Sequence, residues 1–272
     1  MVNLIMKLAL YIKKRSLKQT PEYKSMCAAL EADGFEYEEI EAGDDLPAGT
    51  GLVLSIGGDG TFLCSAKIAA LNGVPVAGVN FGRMGFLSEF RPADVSTVLR
   101  EGKCFVEEED LLDVTCGDFK SLALNEVAVR RSGPGMLGVD VSLDGIELPT
   151  YWADGLLIST SAGSTAYSLS AGGPICTPGT NVLIIAPIAP HNLNVRPLIV
   201  PSSTRLQLRF HSREATVNIA CDTTDCSIPA DSAVSISVAQ FSLKRLRLSK
   251  ANFIEALRSK LFWGEDIRNE AK

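Results

Sequence analysis

The 272 residues are 46% hydrophobic and 21% charged, enough apolar material for one large or two medium domains, with no tract of disordered or low-complexity composition. The net charge of -6 excludes the basic surface that nonspecific nucleic-acid or anionic-membrane binding needs, so an anionic ligand has to be met by local donors. Seven cysteines without a CxxC pair suit reduced thiols better than a disulfide framework, and two histidines make no cluster for a metal, so no metal-ligating residues are assigned.

Met1 to Ile12 is apolar, but the basic cluster Lys13-Lys14-Arg15 follows the run instead of preceding it. That is the wrong order for a signal peptide, and the run is too short to span a bilayer, so a soluble, cytoplasmic protein is expected. Lys7 to Ile12 reads as a first buried strand. Pro21 to Asp33 reads as a helix with Met26, Ala29 and Leu30 on one face, ended by Gly34, and Phe35 to Ile40 as a second strand. The apolar strand Gly51 to Ile56 leads through Gly57-Gly58-Asp59-Gly60 into a helix from Thr61 to Leu71. Val74 to Val79 is a further strand, Asn80 to Leu87 is turn-rich, and Pro92 to Arg100 predicts a short helix with Pro92 near its start and Gly102 past its end. Strands alternating with helices predict a parallel sheet whose ligand lies beyond the strands' carboxyl ends.

From about residue 103 the texture changes to short β-type runs at Asp110 to Thr115, Leu122 to Arg130, Leu137 to Leu143, Gly155 to Thr160, Val182 to Ala186, Arg205 to Phe210, Thr216 to Cys221 and Val234 to Val238. Helical spacing returns over Asn252 to Trp263, with Phe253, Ala256, Leu257 and Leu261 apolar. The expected architecture is an α/β Rossmann-like domain over residues 1–102, joined by a C-terminal helix within 246–272, and a β-rich, β-sandwich-like domain over 103–245.

Glycines between a buried strand and a helix let backbone N–H groups approach phosphate oxygens, and the helix start adds partial positive charge. A carboxylate is out of place there unless a metal ion intervenes or it is aimed at something other than phosphate, and Asp59 reads as aimed at a hydroxyl. Asn125-Glu126, at the start of a β run, suits sugar hydroxyls, which donate to a carboxylate and accept from an amide. A solvated strand end is the competing reading. Asp154 to Pro174 runs from an apolar strand into hydroxyl and small residues, then Tyr167 and a second glycine pair, a composition fit for a nucleobase and ribose. Its competing reading is a Ser/Thr-rich turn with a capped short helix. The acids Glu107 to Asp110 read as a solvated face. Arg83 and Arg131 could each meet phosphate, and Lys244, Arg245 and Arg247 read as strand residues.

Gly57-Gly58-Asp59-Gly60-Thr61, Gly78 to Leu87, Asn125-Glu126 and Asp154 to Pro174 resemble, in order and spacing, the successive motifs of the NAD kinases, over about residues 50 to 245. The resemblance implies transfer of the ATP γ-phosphoryl group to the adenosine-ribose 2′-hydroxyl of NAD, giving NADP, with Mg²⁺ or another divalent ion accompanying ATP. By position, Asp59 matches the family's general base, and Gly57, Gly58 and Gly60, with Thr61 beside them, its phosphate loop. Asn125 and Glu126 match the dinucleotide grip. Thr165, Ala166 and Tyr167 match the adenosine pocket, with Asp154 and Ser164 close by, and Phe81 is counted among the binding residues. A homodimer or homotetramer is implied, with Pro187 to Pro197 as the contact segment and His191 within it. Three positions depart from the pattern: Ala162 where a hydroxyl is usual, Asp222-Thr223-Thr224 for an Asp-Gly-Gln run, and Trp152 where an arginine often stands. A lipid kinase sharing the GGDGT start, and a non-catalytic NADP(H) sensor, are the alternatives. The hydroxyl-rich Gly163 to Tyr167 segment opposes the first, since a lipid tail gives those groups nothing to bond.

Overall fold

The computed structural model describes residues 6–82, 85–248 and 252–264, and Arg83 therefore lies outside the described residues. The chain divides into two compact units, one of residues 1–108 with 243–272 and one of residues 109–242. In chain order the elements are β1 (Lys7–Ile12), α1 (Pro21–Ala32), β2 (Tyr37–Ile40), β3 (Thr50–Gly57), α2 (Asp59–Leu71), β4 (Val76–Asn80), α3 (Val95–Glu101) and β5 (Phe105–Glu109). Next come β6 (Leu112–Cys116), β7 (Phe119–Ala123), β8 (Glu126–Arg131), β9 (Leu137–Leu143), β10 (Ile146–Glu147), β11 (Tyr151–Ala153), β12 (Gly155–Thr160) and α4 (Tyr167–Ser170). The chain continues through β13 (Val182–Ile188), β14 (Leu198–Pro201), β15 (Leu206–His211), β16 (Thr216–Cys221), β17 (Thr224–Pro229) and β18 (Val234–Val238), and closes with β19 (Leu243–Arg247) and α5 (Asn252–Leu261).

The first unit carries a sheet in the order β2-β1-β3-β4-β19-β5, parallel from β2 through β19. β1 and β3 are almost wholly buried, which is why they read as continuous apolar runs and not as alternating ones. Leu8, Leu10, Ile12, Leu52, Leu54 and Ile56 form its core with Tyr23, Met26 and Leu30 of α1. Each fully buried aliphatic side chain of this kind contributes about 1.5–3 kcal/mol. α1 opens on the Thr20 hydroxyl, which accepts from the Tyr23 N–H at 3.3 Å, with Pro21 in the first turn. α3 begins at Val95, later than Pro92 suggests, and ends on Gly102 in the left-handed conformation at φ 63°.

The second unit is two antiparallel sheets, β10-β9-β15-β18-β6-β7 with β11 on β9, and β14-β13-β12-β8-β16-β17. Val114, Val139, Leu208 and Ile236 from the first meet Val127, Val129, Ile158, Ile185 and Ile219 from the second in one sandwich core. The second sheet is also covered outside, where Ala128, Leu157, Ile184 and Ala186 pack with Ala171 and Cys176. Burial on both faces explains the apolar run Gly155 to Ile158 in β12. The single β run expected from Leu122 to Arg130 is two strands, broken at Leu124-Asn125 because Asp222 draws the backbone out of the ladder there.

The solvated face expected at Glu107 to Asp110 needs correcting. Glu109 is buried, and Glu107 pairs with the buried Arg247 through Oε2 and Nη1 at 2.5 Å. Alternation on an edge strand reads as polar because both partners of the pair are ionic. Among the described residues no disulfide joins any of the seven cysteines, and no helix is long and apolar enough to cross a membrane.

Candidate active site

In the first unit the glycine loop lies where β3 ends, and Gly57 is in register with Asn80 at the end of β4. Both strand ends therefore present their following loops at the carboxyl edge of the parallel sheet, where α/β folds bind ligands. The Phe81 N–H donates to the Gly57 carbonyl at 3.2 Å, joining Phe81 to the loop. A side chain at Gly57 would run into Thr61, whereas the space beside Gly58 and Gly60 is open. Those two glycines leave their backbone accessible to a ligand. The helix starts two residues before Thr61, so Asp59 is in its first turn, where the helix dipole favours a negative charge.

Asp59 is held by its unit. Its carboxylate accepts from the backbone N–H groups of Phe86, Leu87 and Ser88 at 2.7, 3.1 and 3.0 Å. Gly85 is a glycine because a β-carbon there would overlap that carboxylate. Gly78 is likewise required where β4 passes under Ser88.

The second unit gathers Asn125, Glu126 and Tyr167. Asp222, at φ 53° in the two-residue turn between β16 and β17, accepts from the N–H groups of Leu124, Asn125 and Glu126 at 2.7, 2.9 and 3.1 Å. On the carbonyl side, Thr160 donates to Leu124 at 2.6 Å and Ser159 to Asn125 at 3.1 Å. The Asn125-Glu126 bend is thus fixed from both sides. Glu126, Ala128, Arg130, Tyr167, Ala220 and Asp222 line a cavity of about 200 Å³ with Asp225. Among the described residues, Glu126 Oε2 and the Oδ1 of Asn125, the residue before it, are buried without a hydrogen-bond partner. Burial, and then the Asp222 carboxylate, push the Glu126 carboxyl up to about 7 against the pull of the Tyr167 N–H. An unsatisfied acceptor lining a small cavity, with a second on the adjacent residue, is suited to a ligand's hydroxyls or amine.

Other expected residues are placed differently. Ser164 is buried, its hydroxyl bonded to the Cys176 N–H at 3.0 Å, while Thr165 and Ala166 are half-buried and Tyr167 is exposed. Ser159, Thr160 and Ser164 therefore satisfy the chain's own backbone. Asp154 pairs with Arg131, Nε to Oδ1, at 2.8 Å. Glu126 lies opposite Ser159 and Arg130 opposite Gly155, which sets Asp154 roughly 15 Å along the strands from Glu126. His191 is exposed, its N–H donating to the Trp152 carbonyl at 2.9 Å. Trp152 stacks on His211 with ring centroids 6.1 Å apart, and His211 pairs with Asp140 at 2.6 Å.

Sequence reading did not assign Asp222 its clamp. The signal was present, since an aspartate between two strands tolerates the left-handed conformation that a two-residue hairpin demands.

Comparison with known proteins agrees with this geometry. Residues 4–102 match the ATP-NAD kinase N-terminal domain, and residues 124–248 match the ATP-NAD kinase C-terminal domain. The chain is 35% identical to an NAD kinase of Flavobacterium psychrophilum over 98% of this chain and 95% of that one. It is 40% identical to an NAD kinase of Porphyromonas gingivalis over 83% of this chain and 80% of the other. Its fold matches the crystal structure of an Archaeoglobus fulgidus NAD kinase in complex with ATP, with a TM-score of 0.76, 25% identity and 95% and 99% coverage of the two chains. It also matches that of yeast NADH kinase complexed with NADH, with a TM-score of 0.83, 22% identity and 97% and 90% coverage, a likeness of fold. The chain belongs to the NAD kinase family.

Proposed function

We propose that this protein transfers the γ-phosphoryl group of ATP to the 2′-hydroxyl of the adenosine ribose of NAD, giving NADP and ADP. The observation that carries the reading is Asp59, a carboxylate in the first turn of α2 that three backbone amides fix in one orientation beside open glycine backbone. As the ribose 2′-oxygen bonds to the γ-phosphorus and the bond from phosphorus to the ADP oxygen breaks, Asp59 takes the hydroxyl proton. Positioning and charge neutralisation supply most of the acceleration in such transfers, and the base adds ~10²–10⁴-fold.

Gly57, Gly58, Gly60 and Thr61 would offer backbone N–H groups to the phosphates, with Phe81 at their side. Asn125 and Glu126 would take the hydroxyls of the dinucleotide with their unsatisfied oxygens, and Thr165, Ala166 and Tyr167 would line its adenosine. Ser164 supports that segment from beneath through Cys176. Asp154 acts through its pair with Arg131. Among the described residues no group of three or more His, Cys, Asp or Glu side chains converges on a metal position. Mg²⁺ or another divalent ion would accompany ATP as counter-charge to its phosphates.

The reduced cysteines fit work in the cytoplasm. The β-rich unit would build a homodimer or homotetramer through Pro187 to Pro197. Gel filtration showing a fully active monomer would refute that assembly. Asp59→Asn should leave NAD binding within about threefold and lower turnover at least ~100-fold. Unchanged turnover would remove Asp59 from the role of base.

A further inference from the structure

The loop that clamps Asp59 is itself held by cations. Arg245, on β19, donates through Nη2 to the carbonyls of Phe86 at 2.7 Å and Leu87 at 3.2 Å and pairs with Glu89 at 2.9 Å. Arg247 reaches the same Glu89 oxygen at 2.6 Å. These guanidinium groups are buried and matched by Glu89 and Glu107.

Lys260 has a different setting. The covered stripe of α5 comprises residues 253, 256, 257, 260 and 261, a helical spacing that otherwise carries apolar side chains and here includes a lysine. Its ammonium donates to the Gly85 carbonyl and lies 4.6 Å from the centre of the Phe86 ring. Among the described residues it has no carboxylate within 4 Å, although the charges of Asp59 and Glu89 are felt there. A half-buried ammonium without an adjacent carboxylate costs desolvation energy, so a merely structural role would be served better by leucine or methionine. The atom it grips, the Gly85 carbonyl, belongs to the peptide unit whose N–H is the Phe86 donor to Asp59.

We infer that Lys260 is a positioning residue for phosphoryl transfer: by holding the Gly85–Phe86 peptide from its carbonyl side it keeps the Phe86 N–H, and the two amides after it, aimed at Asp59. The inference rests on the reading of Asp59 as base. Polarisation of one peptide by a cation on its oxygen and an anion on its N–H strengthens both bonds, so losing the ammonium loosens the carboxylate without altering either substrate's contacts.

The test is a cycle of Lys260→Met, Lys260→Arg, Asp59→Asn and the double variant Asp59→Asn with Lys260→Met, assayed by single turnover with ATP, Mg²⁺ and NAD. Lys260→Met keeps the stem over Phe86 and should lower turnover ~10–100-fold, with both KM values within about threefold. Lys260→Arg should recover most of the loss. In the Asp59→Asn background, Lys260→Met should cost less than twofold more, since its effect runs through Asp59. Full turnover in Lys260→Met, a change in KM alone, no recovery by arginine, or losses that multiply in the double variant would each overturn the inference. Full turnover in Asp59→Asn alone would instead overturn the reading of the base.

Discussion

Glu126→Gln should stabilise the second unit at alkaline pH and leave it unchanged at acid pH. The Glu126 carboxyl moves from an ordinary 4.5 to about 7 because it is buried beside Asp222. Below pH 4.5 the folded and unfolded chains both carry the proton, and Glu126 contributes nothing to the pH dependence. Between 4.5 and 7 the folded unit keeps a proton that the unfolded chain has released, so stability falls as pH rises. Above 7 the ionised group sits in its cavity at a cost of roughly 3 kcal/mol, taking 1.36 kcal/mol per pH unit. Glutamine fills nearly the same volume and cannot ionise. The variant should therefore melt with the parent protein at pH 4.5–5 and several °C above it at pH 8, at a few °C per kcal/mol for units of this size. Thermal melts of both proteins at the two pH values, followed by hydrogen exchange in β8 to report the second unit, measure the difference. A melting difference that is the same at both pH values would refute the electrostatic reasoning.

Two further outcomes follow from the backbone clamps. Asp222→Ala removes the acceptor for the N–H groups of Leu124, Asn125 and Glu126; it should cost about 3 kcal/mol and abolish slow amide exchange at those three residues, and unchanged protection there would show the clamp is dispensable. Gly85→Ala places a methyl group where the Asp59 carboxylate sits, so turnover should fall more than ~10-fold with NAD affinity retained, and wild-type turnover would show that the loop yields without consequence.

What could be read in the chain was what repeats a local rule. β1, β3 and β4 are apolar runs of strand length, Pro21 is a helix start, and Gly102 a helix stop. The glycine loop stood out because three glycines and an acid between strand and helix have few structural reasons to occur together. β17 was not legible, since an exposed strand such as Thr224–Pro229 carries no apolar alternation, whereas the strand reading of Lys244, Arg245 and Arg247 agrees with β19. The clamps were not legible for a related reason. The bonds from Asp222 to Leu124–Glu126 and from Arg245 to Phe86 span 96 or more positions in the chain, and only the packed sheets bring the partners together. Hydroxyls in Ser159 to Ser164 matched a nucleotide pocket in composition, yet Ser159, Thr160 and Ser164 spend theirs on neighbouring backbone. Composition records which donors exist and leaves open what they bond.

Phosphoryl transfer to NAD is decided by incubating the purified protein with ATP, Mg²⁺ and NAD. NADP and ADP should form in equal amounts, with the new phosphate on the adenosine ribose 2′-oxygen and the yield collapsing in Asp59→Asn. Tight binding of NAD with no NADP formed under the same conditions would contradict it.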